Sequence, residues 1–443
     1  MNELFYPTID LFIYDLRSPL NASADEITQN YQAFLTRLPS GLDFKNTEIE
    51  TEYLELTTPT RIKLKPVDLR LEGYYYPVLL NDTYGLQIDC SVNNLTEPQS
   101  IDSFSSIATE IAKAAASKAL TIGRTWTVSG WLTAAHPDPE RIAIDCYQAL
   151  FTTKETPEIR GKGTFLDAQI FEVWGSPSVA SDRVLIILFP DRSTLEKAAE
   201  FYTDWIGLFC YSHKISWAYH QSRALKESLI YHYKKVEDNA SKIQNSQNIN
   251  VKLVDLQVLF NDVKKILNAY TSDLLNLSFQ KQIININLVN YRNRLEQIKT
   301  KAVQSNDLEF LDRFGDLAEK KYLAQIDKDT ENMQLGLKLL ETNISALRSQ
   351  IEIEKSERDL NFQNLVTLIG AGTAISTLFD YDGKKCKAVF SVSKEPEVPH
   401  ICNNFWFGSV VMPIGTILLL GGVMLSLKCL WVEIKGRKIR PKD

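Results

Sequence analysis

Apolar and polar positions follow two different rhythms along this chain, and the change between them falls at Pro190. Before it, short β-rich runs such as "IDLFIYDL", "YGLQIDCSV", "RTWTVSGWL", "GTFLDAQIFEVW" and "RVLIILFP" alternate with helical stretches such as "SADEITQNYQAFLTRL", "IDSFSSIATEIAKAAASKAL" and "DPERIAIDCYQALF". That alternation predicts an α/β or α+β domain over residues 1–190, punctuated by turn signals at Pro137, Pro139, Gly175 and Pro177.

Beyond Pro190 the next proline is Pro396, and the only glycines before Gly370 are Gly207, Gly315 and Gly336. So long a span without helix breakers predicts long helices over residues 191–359. One should run from about Ser193 to Ile243 and a second from about Val251 to Val303, joined through the polar "NSQNIN"; a third should begin near Leu308 after "QSND". In the third, Leu323, Ile326, Thr330, Met333, Leu337, Leu340, Ile344, Leu347 and Ile351 step by three and four, which is a heptad seam. At about 1.5 Å per residue, a helix from Asp316 to Phe379 would reach roughly 95 Å. A helix of that length is a stalk, packed against the two helices before it, against copies of itself, or both.

Two apolar runs close the chain. "GSVVMPIGTILLLGGVMLSLKCL", Gly408 to Leu430, is flanked by aromatic residues at Phe405 to Phe407 and at Trp431. It is long enough to cross roughly 30 Å of hydrocarbon, for which about 20 residues suffice. Lys435, Arg437, Lys438, Arg440 and Lys442 follow it, which places the tail (residues 432–443) in the cytosol by the positive-inside rule. The N-terminus carries Glu3, Asp10 and Asp15 and no basic stretch before an apolar run, so no signal peptide is expected and the N-terminal domain is expected to be cytosolic. With both termini inside, the number of spans is even, and "FQNLVTLIGAGTAISTLF", Phe362 to Phe379, becomes the first. The expected order is then transmembrane helix 1 at 360–379, an outer loop at 380–404 and transmembrane helix 2 at 405–431, a multi-pass protein of the cell (inner) membrane.

Candidate chemistry concentrates in this C-terminal part. On a helical wheel Gln363, Thr367, Gly370, Ala374 and Thr377 share one side of the first span and Leu365, Leu368, Ile369, Gly372 and Ile375 the other. The polar and small side is either a pore lining in an oligomer or a face for close helix packing. Glu354, Arg358 and Asn361 continue the heptad seam to the membrane entrance, where they form either a gate or a solvated helix end. Asp380 and Asp382 stand at the outer mouth. Cys386 and Cys402 face the oxidising side, as a disulfide or as two free thiols. Cys90, Cys146 and Cys210 lack metal-ligand spacing and are expected as reduced core thiols. His213 and His220, amid Trp205, Phe209 and Trp217, are expected to pack within the helical stalk.

A net charge of −6 argues against a general nucleic-acid binder. No phosphate loop, G-x-S-x-G elbow, H-E-x-x-H or CxxC pair occurs, so the chain is not expected to be an enzyme, and no cofactor or resident metal site is expected from motifs.

A cytosolic α/β domain, long helices, a stalk running into a first span, a short outer loop, a second span and a basic tail together resemble the CorA-like superfamily of divalent-cation channels. The resemblance implies a homopentamer whose first span lines a pore, whose cytosolic domains sense the permeating ion, and for which a divalent cation is permeant or regulatory. The family's Gly-Met-Asn signature is absent. Its place is taken by "LFDYDG", Leu378 to Gly383, so no selectivity-filter residue is carried over and magnesium is not implied. Two functions are therefore expected in competition. One is an oligomeric, CorA-like cation channel or channel-type effector with a cytosolic sensor domain. The other is a non-conducting, membrane-anchored component of a bacterial signalling or conflict system, whose cytosolic domain binds a small ligand or a protein partner.

Overall fold

The computed structural model describes residues 3–19, 22–45, 52–116, 121–132, 138–175, 182–246, 253–302 and 306–354. Both expected spans, the outer loop and the tail lie outside them. Among the described residues no helix is long and apolar enough to cross a membrane.

Strand β1 (Glu3–Leu16) organises the N-terminal half. It pairs antiparallel with β7 (Thr83–Val92) on one side and β9 (Thr121–Leu132) on the other. Beyond β9 come β12 (Asp182–Phe189), parallel to it, then β11 (Ala168–Trp174) and β10 (Glu158–Phe165); beyond β7 come β6 (Leu71–Leu80) and the short β3 (Leu54–Glu55). Three two-residue strands complete the edges: β5 (Ile62–Lys63) on β6, β8 (Gln99–Ser100) on β1, and β2 (Asp43–Phe44) paired with β4 (Thr57–Thr58). The β6–β7 and β10–β11 hairpins turn through Asn81 (φ 55°) and through Leu166 and Asp167 (φ 49° and 63°), the left-handed conformations that tight two-residue turns require.

Helices cover both faces of this sheet. On one lie α1 (Ala24–Leu35), α2 (Ser103–Ala115) and α3 (Pro139–Phe151), over a core that includes Ile9, Leu11, Ile13, Leu86, Ile88, Val128 and Ile186. Local signals start two of these helices: a Ser23–Glu26 capping box for α1, and Asp138 followed by Pro139 for α3. Arg37 fastens the layer. Its guanidinium, 6% exposed, makes two bonds to the Asp15 carboxylate (2.7 and 3.1 Å) and donates to the Ala115 carbonyl at the end of α2. Asp15 also accepts from Thr121 (2.8 Å), so α1, β1, β9 and α2 meet at one satisfied buried ion pair.

The other face is covered by α4 (Arg192–Ala198), a 3-10 turn (Ala199–Phe201) and the first turns of α5 (Tyr202–Ser246). The sequence assigns these residues to the helical part, yet their role here is to roof the sheet. His213 shows why: it packs on the sheet, with Nε2 2.8 Å from Thr125 Oγ1, and not within a stalk. The approach is possible because β9 has Gly123 beneath it, where a Cβ would stand 2.1 Å from His213 Nδ1. Burial, with the charge of Arg183, holds the His213 pKa down to about 3, so the ring is neutral. Gly123→Ala should therefore lower stability by about 1–3 kcal/mol through overpacking. Combining it with His213→Ala should cost less than the sum of the two changes, because the clash is removed. Thermal melts of the four proteins measure this, and an unshifted melt for Gly123→Ala would contradict it.

Beyond the sheet, α5 runs with α6 (Leu253–Lys301) and α8 (Ala324–Glu354), the last reached through α7 (Glu309–Leu317) and a π-helical turn (Ala318–Leu323). The start of α7 lies against β10, where Thr164 and Asp307 exchange backbone bonds of 2.8 and 3.0 Å. Gly163 permits this, since a Cβ there would meet the Asp307 carbonyl at 2.1 Å. Along α8 the expected seam is buried at Ile326, Leu337, Leu340 and Ile344 and half-buried at Leu323, Thr330 and Met333. Its neighbours are the two preceding helices. Tyr270 donates to the Met333 carbonyl (2.7 Å), Tyr219 stacks on Tyr322 at 4.0 Å, and Asp329 pairs with Arg223 (2.6 Å) and Lys226 (2.9 Å).

The chain divides into two units, Met1–Asn250 with Val258–Leu340, and Val251–Gln257 with Glu341–Asp443. All the contacts described above between separate elements fall within the first. In the second, the described end of α8 is helix whose Ser345 and Ser349 hydroxyls bond back to the carbonyls of Glu341 and Ser345.

Candidate functional site

Residues of β1 alternate between the two faces, so Ile9, Leu11 and Ile13 enter the helix-covered core while Thr8, Asp10, Phe12 and Tyr14 face α5. Register then aligns polar residues across three strands. Asp10 stands opposite Asp89 of β7 and Thr127 of β9; one row along, Thr8 stands opposite Ser91 and Ser129. Between these rows and the helical roof lies a cavity of about 220 Å³. Leu195, Ala198, Tyr202 and Trp205 roof it, and Phe165, Ile170, Leu185 and Ile187 form an apolar wall. Tyr6, Tyr74 and the exposed Arg61 complete its polar end. Tyr6 sits at a β-bulge with φ 48°, a strained conformation of the kind that re-aims a side chain beside a site.

The two carboxyls dominate the electrostatics. Asp10 is 1% exposed; it accepts from Gln87 Nε2 at 2.7 Å and from the Tyr202 hydroxyl at 2.9 Å. Burial pushes both acids above the usual carboxylate range. Asp89 rises further, because the charge of Asp10 beside it opposes a second ionisation and its own proton is bonded to Asp10. The pair therefore holds one proton between two carboxyls near neutral pH. Tyr202 and Tyr74 are raised by burial and by these acids, and Tyr6 is pushed up to about 12, so all three phenols remain neutral donors.

Thr127 adds an unusual feature. Its Oγ1 is buried and, among the described residues, has no hydrogen-bond partner. Such a site can hold a proton between the Asp10 and Asp89 carboxyls and can receive a donor group at Thr127 Oγ1. Among the described residues no cluster of three or more His, Cys, Asp or Glu is placed to hold a metal ion.

Of the pore, entrance and mouth residues expected from the sequence, only Glu354 is among the described residues. Glu354 ends α8. Arg358, Asn361, Gln363, Thr367, Gly370, Ala374, Thr377, Asp380, Asp382, Cys386 and Cys402 lie outside the described residues. Cys90, Cys146 and Cys210 are buried free thiols. Asp10 and Asp89 escape a reading for motifs because they are far apart in sequence. The available signal is local: each is an acid flanked by apolar residues within a strand run, Ile9 and Leu11 in "TIDLF", Ile88 and Cys90 in "LQIDC", where an unpaired charge is costly. Comparisons with known protein families, with curated proteins and with solved structures return no match.

Proposed function

We propose that this chain is a membrane protein in which a cytosolic α/β domain senses a ligand and acts, through the long helices, on two C-terminal spans that form an oligomeric cation channel or channel-type effector resembling the CorA-like superfamily. Support comes chiefly from α5. Its first turns roof the cavity, through Tyr202 and Trp205, and its later turns pack against α6 and α8. Any change in how the cavity holds Tyr202 is thereby a change at the root of the helical bundle. The spans themselves rest on the apolar runs Phe362–Phe379 and Gly408–Leu430 and on the basic tail.

The competing function, a non-conducting anchored sensor, draws on the missing Gly-Met-Asn signature, and both functions place the two termini in the cytosol. Purified full-length protein discriminates them. The channel should run as a closed oligomer in detergent, a pentamer by the resemblance, and should pass cations when reconstituted in liposomes. Thr367→Arg should then suppress that flux, because a ring of like charges in a low-dielectric pore repels cations. A monomer in detergent, or no cation flux from the parent protein, would leave the anchored sensor; flux undiminished in the variant would remove Thr367 from the pore lining.

A further inference from the structure

We propose that the cavity over the Asp10–Asp89 pair binds a small organic monocation: an ammonium or amidinium head on an apolar body about the size of one aromatic ring. This deepens the sensor assignment of the same cavity and rests on it.

Charge is the first ground. The pair retains one proton and hence one negative charge, in a place where Asp10 is almost wholly removed from solvent. Among the described residues neither acid is in ion-pair contact with a cation, and only the more distant positive charge of Arg61 acts on them, lowering the pKa of both. Arg61, the cationic side chain lining the cavity, is exposed and lies over the Tyr74 ring at 4.8 Å. A buried carboxylate with no cation in contact favours one that can reach it.

Thr127 supplies independent support. The residue is 7% exposed, lines the cavity and stands in register beside Asp10, and its buried hydroxyl lacks a partner among the described residues. Buried polar groups are nearly always bonded, so an orphan facing a cavity marks the place of a missing partner. A head group with several N–H donors can satisfy Asp10 and Thr127 together, and a bare anion can satisfy neither well. Two carboxyls without a third ligand are a poor metal site.

Walls and volume define the rest of the ligand. Phe165, Ile170, Ile187 and Trp205 offer apolar and aromatic surface, and Tyr202 and Tyr74 present rings beside the carboxyls, a surrounding that favours organic cations. A cavity of about 150 Å³ accommodates benzene. The 220 Å³ here leaves room for a ring with a short polar arm.

Calorimetric titration of the full-length protein in detergent tests the assignment with three near-isosteric probes: phenethylamine as cation, 2-phenylethanol as neutral and phenylacetate as anion. Phenethylamine should bind about tenfold or more tighter than the other two, as a charge-assisted hydrogen bond implies. Asp10→Asn should abolish that preference while 2-phenylethanol binding stays within about twofold. Thr127→Val, nearly isosteric and safe for folding, should weaken phenethylamine several-fold. Tighter binding of phenylacetate, equal binding of all three, no phenethylamine binding at millimolar concentration, or phenethylamine binding untouched by both substitutions would each overturn the proposal. Cation flux is not measured in this titration. Binding without flux removes the channel alone, and flux without phenethylamine binding removes the ligand assignment alone.

Discussion

Replacing Leu337 and Leu340 together by aspartate should melt the helical bundle at ordinary temperature. Both side chains are buried on α8, beside Gly336, whose Cα lies so close to α5 and α6 that a Cβ would meet the Tyr270 hydroxyl at 2.5 Å and the Tyr233 ring at 3.3 Å. Removing one buried leucine costs about 2–5 kcal/mol through lost transfer energy and the cavity left behind. Burying a carboxylate in its place adds several kcal/mol more per site, with no cation provided to pair it. The sum reaches or exceeds the roughly 5–15 kcal/mol by which native domains are stable. Far-UV circular dichroism on heating should show early loss of helix, and limited proteolysis should open the chain beyond the sheet domain. Unchanged helix content and melting temperature in the double variant would mean that the seam is solvated.

Asp89→Asn should make the protein more stable, and increasingly so as pH rises. Both acids of the pair titrate above the usual range in the folded protein, through burial and, for Asp89, the charge of Asp10 as well, whereas an unfolded aspartate titrates near about 3.9. The folded state therefore holds a proton that the unfolded chain releases. Stability is highest below the unfolded value and falls as pH climbs through the window up to the pair's own titration, by about 1.4 kcal/mol per pH unit for each proton retained. The asparagine amide can still donate to Asp10, so the geometry survives while one of the two titrations disappears. Wild type and variant should melt together near about pH 4 and diverge steadily towards neutrality, with the variant higher. Parallel curves would show that the pair shares no proton. A pair that costs stability at working pH is the kind of feature binding sites retain and cores discard.

Much of the architecture was legible before any coordinates. The breaker-free stretch after Pro190 does yield three long helical runs that begin within a few residues of the expected starts, the first and third interrupted by a 3-10 and a π-helical turn, because glycine and proline are the strongest local punctuation a sequence has; the expected end of the third at Phe379 lies outside the described residues. The quoted apolar runs are strands, although "GTFLDAQIFEVW" is two of them, folded back at Leu166–Asp167 where left-handed backbone is needed without a glycine to announce it. Strand β6, "LEGYYYPVLL", was not legible as a strand. Its Pro77 argues against one, and its glycine is tolerated only because the Asp89 carbonyl lies where a Cβ would be.

What the sequence by itself determined is therefore local: which segments are helical or extended, where they stop, and which face of the last long helix is apolar. Each of these follows from backbone preference and from periodicity over neighbouring residues. The expected spans and their pore-lining side, Thr367, Gly370 and Ala374, rest on that same local information and nothing more. The tertiary structure alone decided that α5 belongs as much to the sheet as to the bundle, since the reason lies in Gly123, some ninety positions before His213. It alone brought Asp10, Asp89, Thr127 and Tyr202 to one cavity. Strand register sets those neighbours, and register is a property of pairing between distant segments, to which no single segment holds the key.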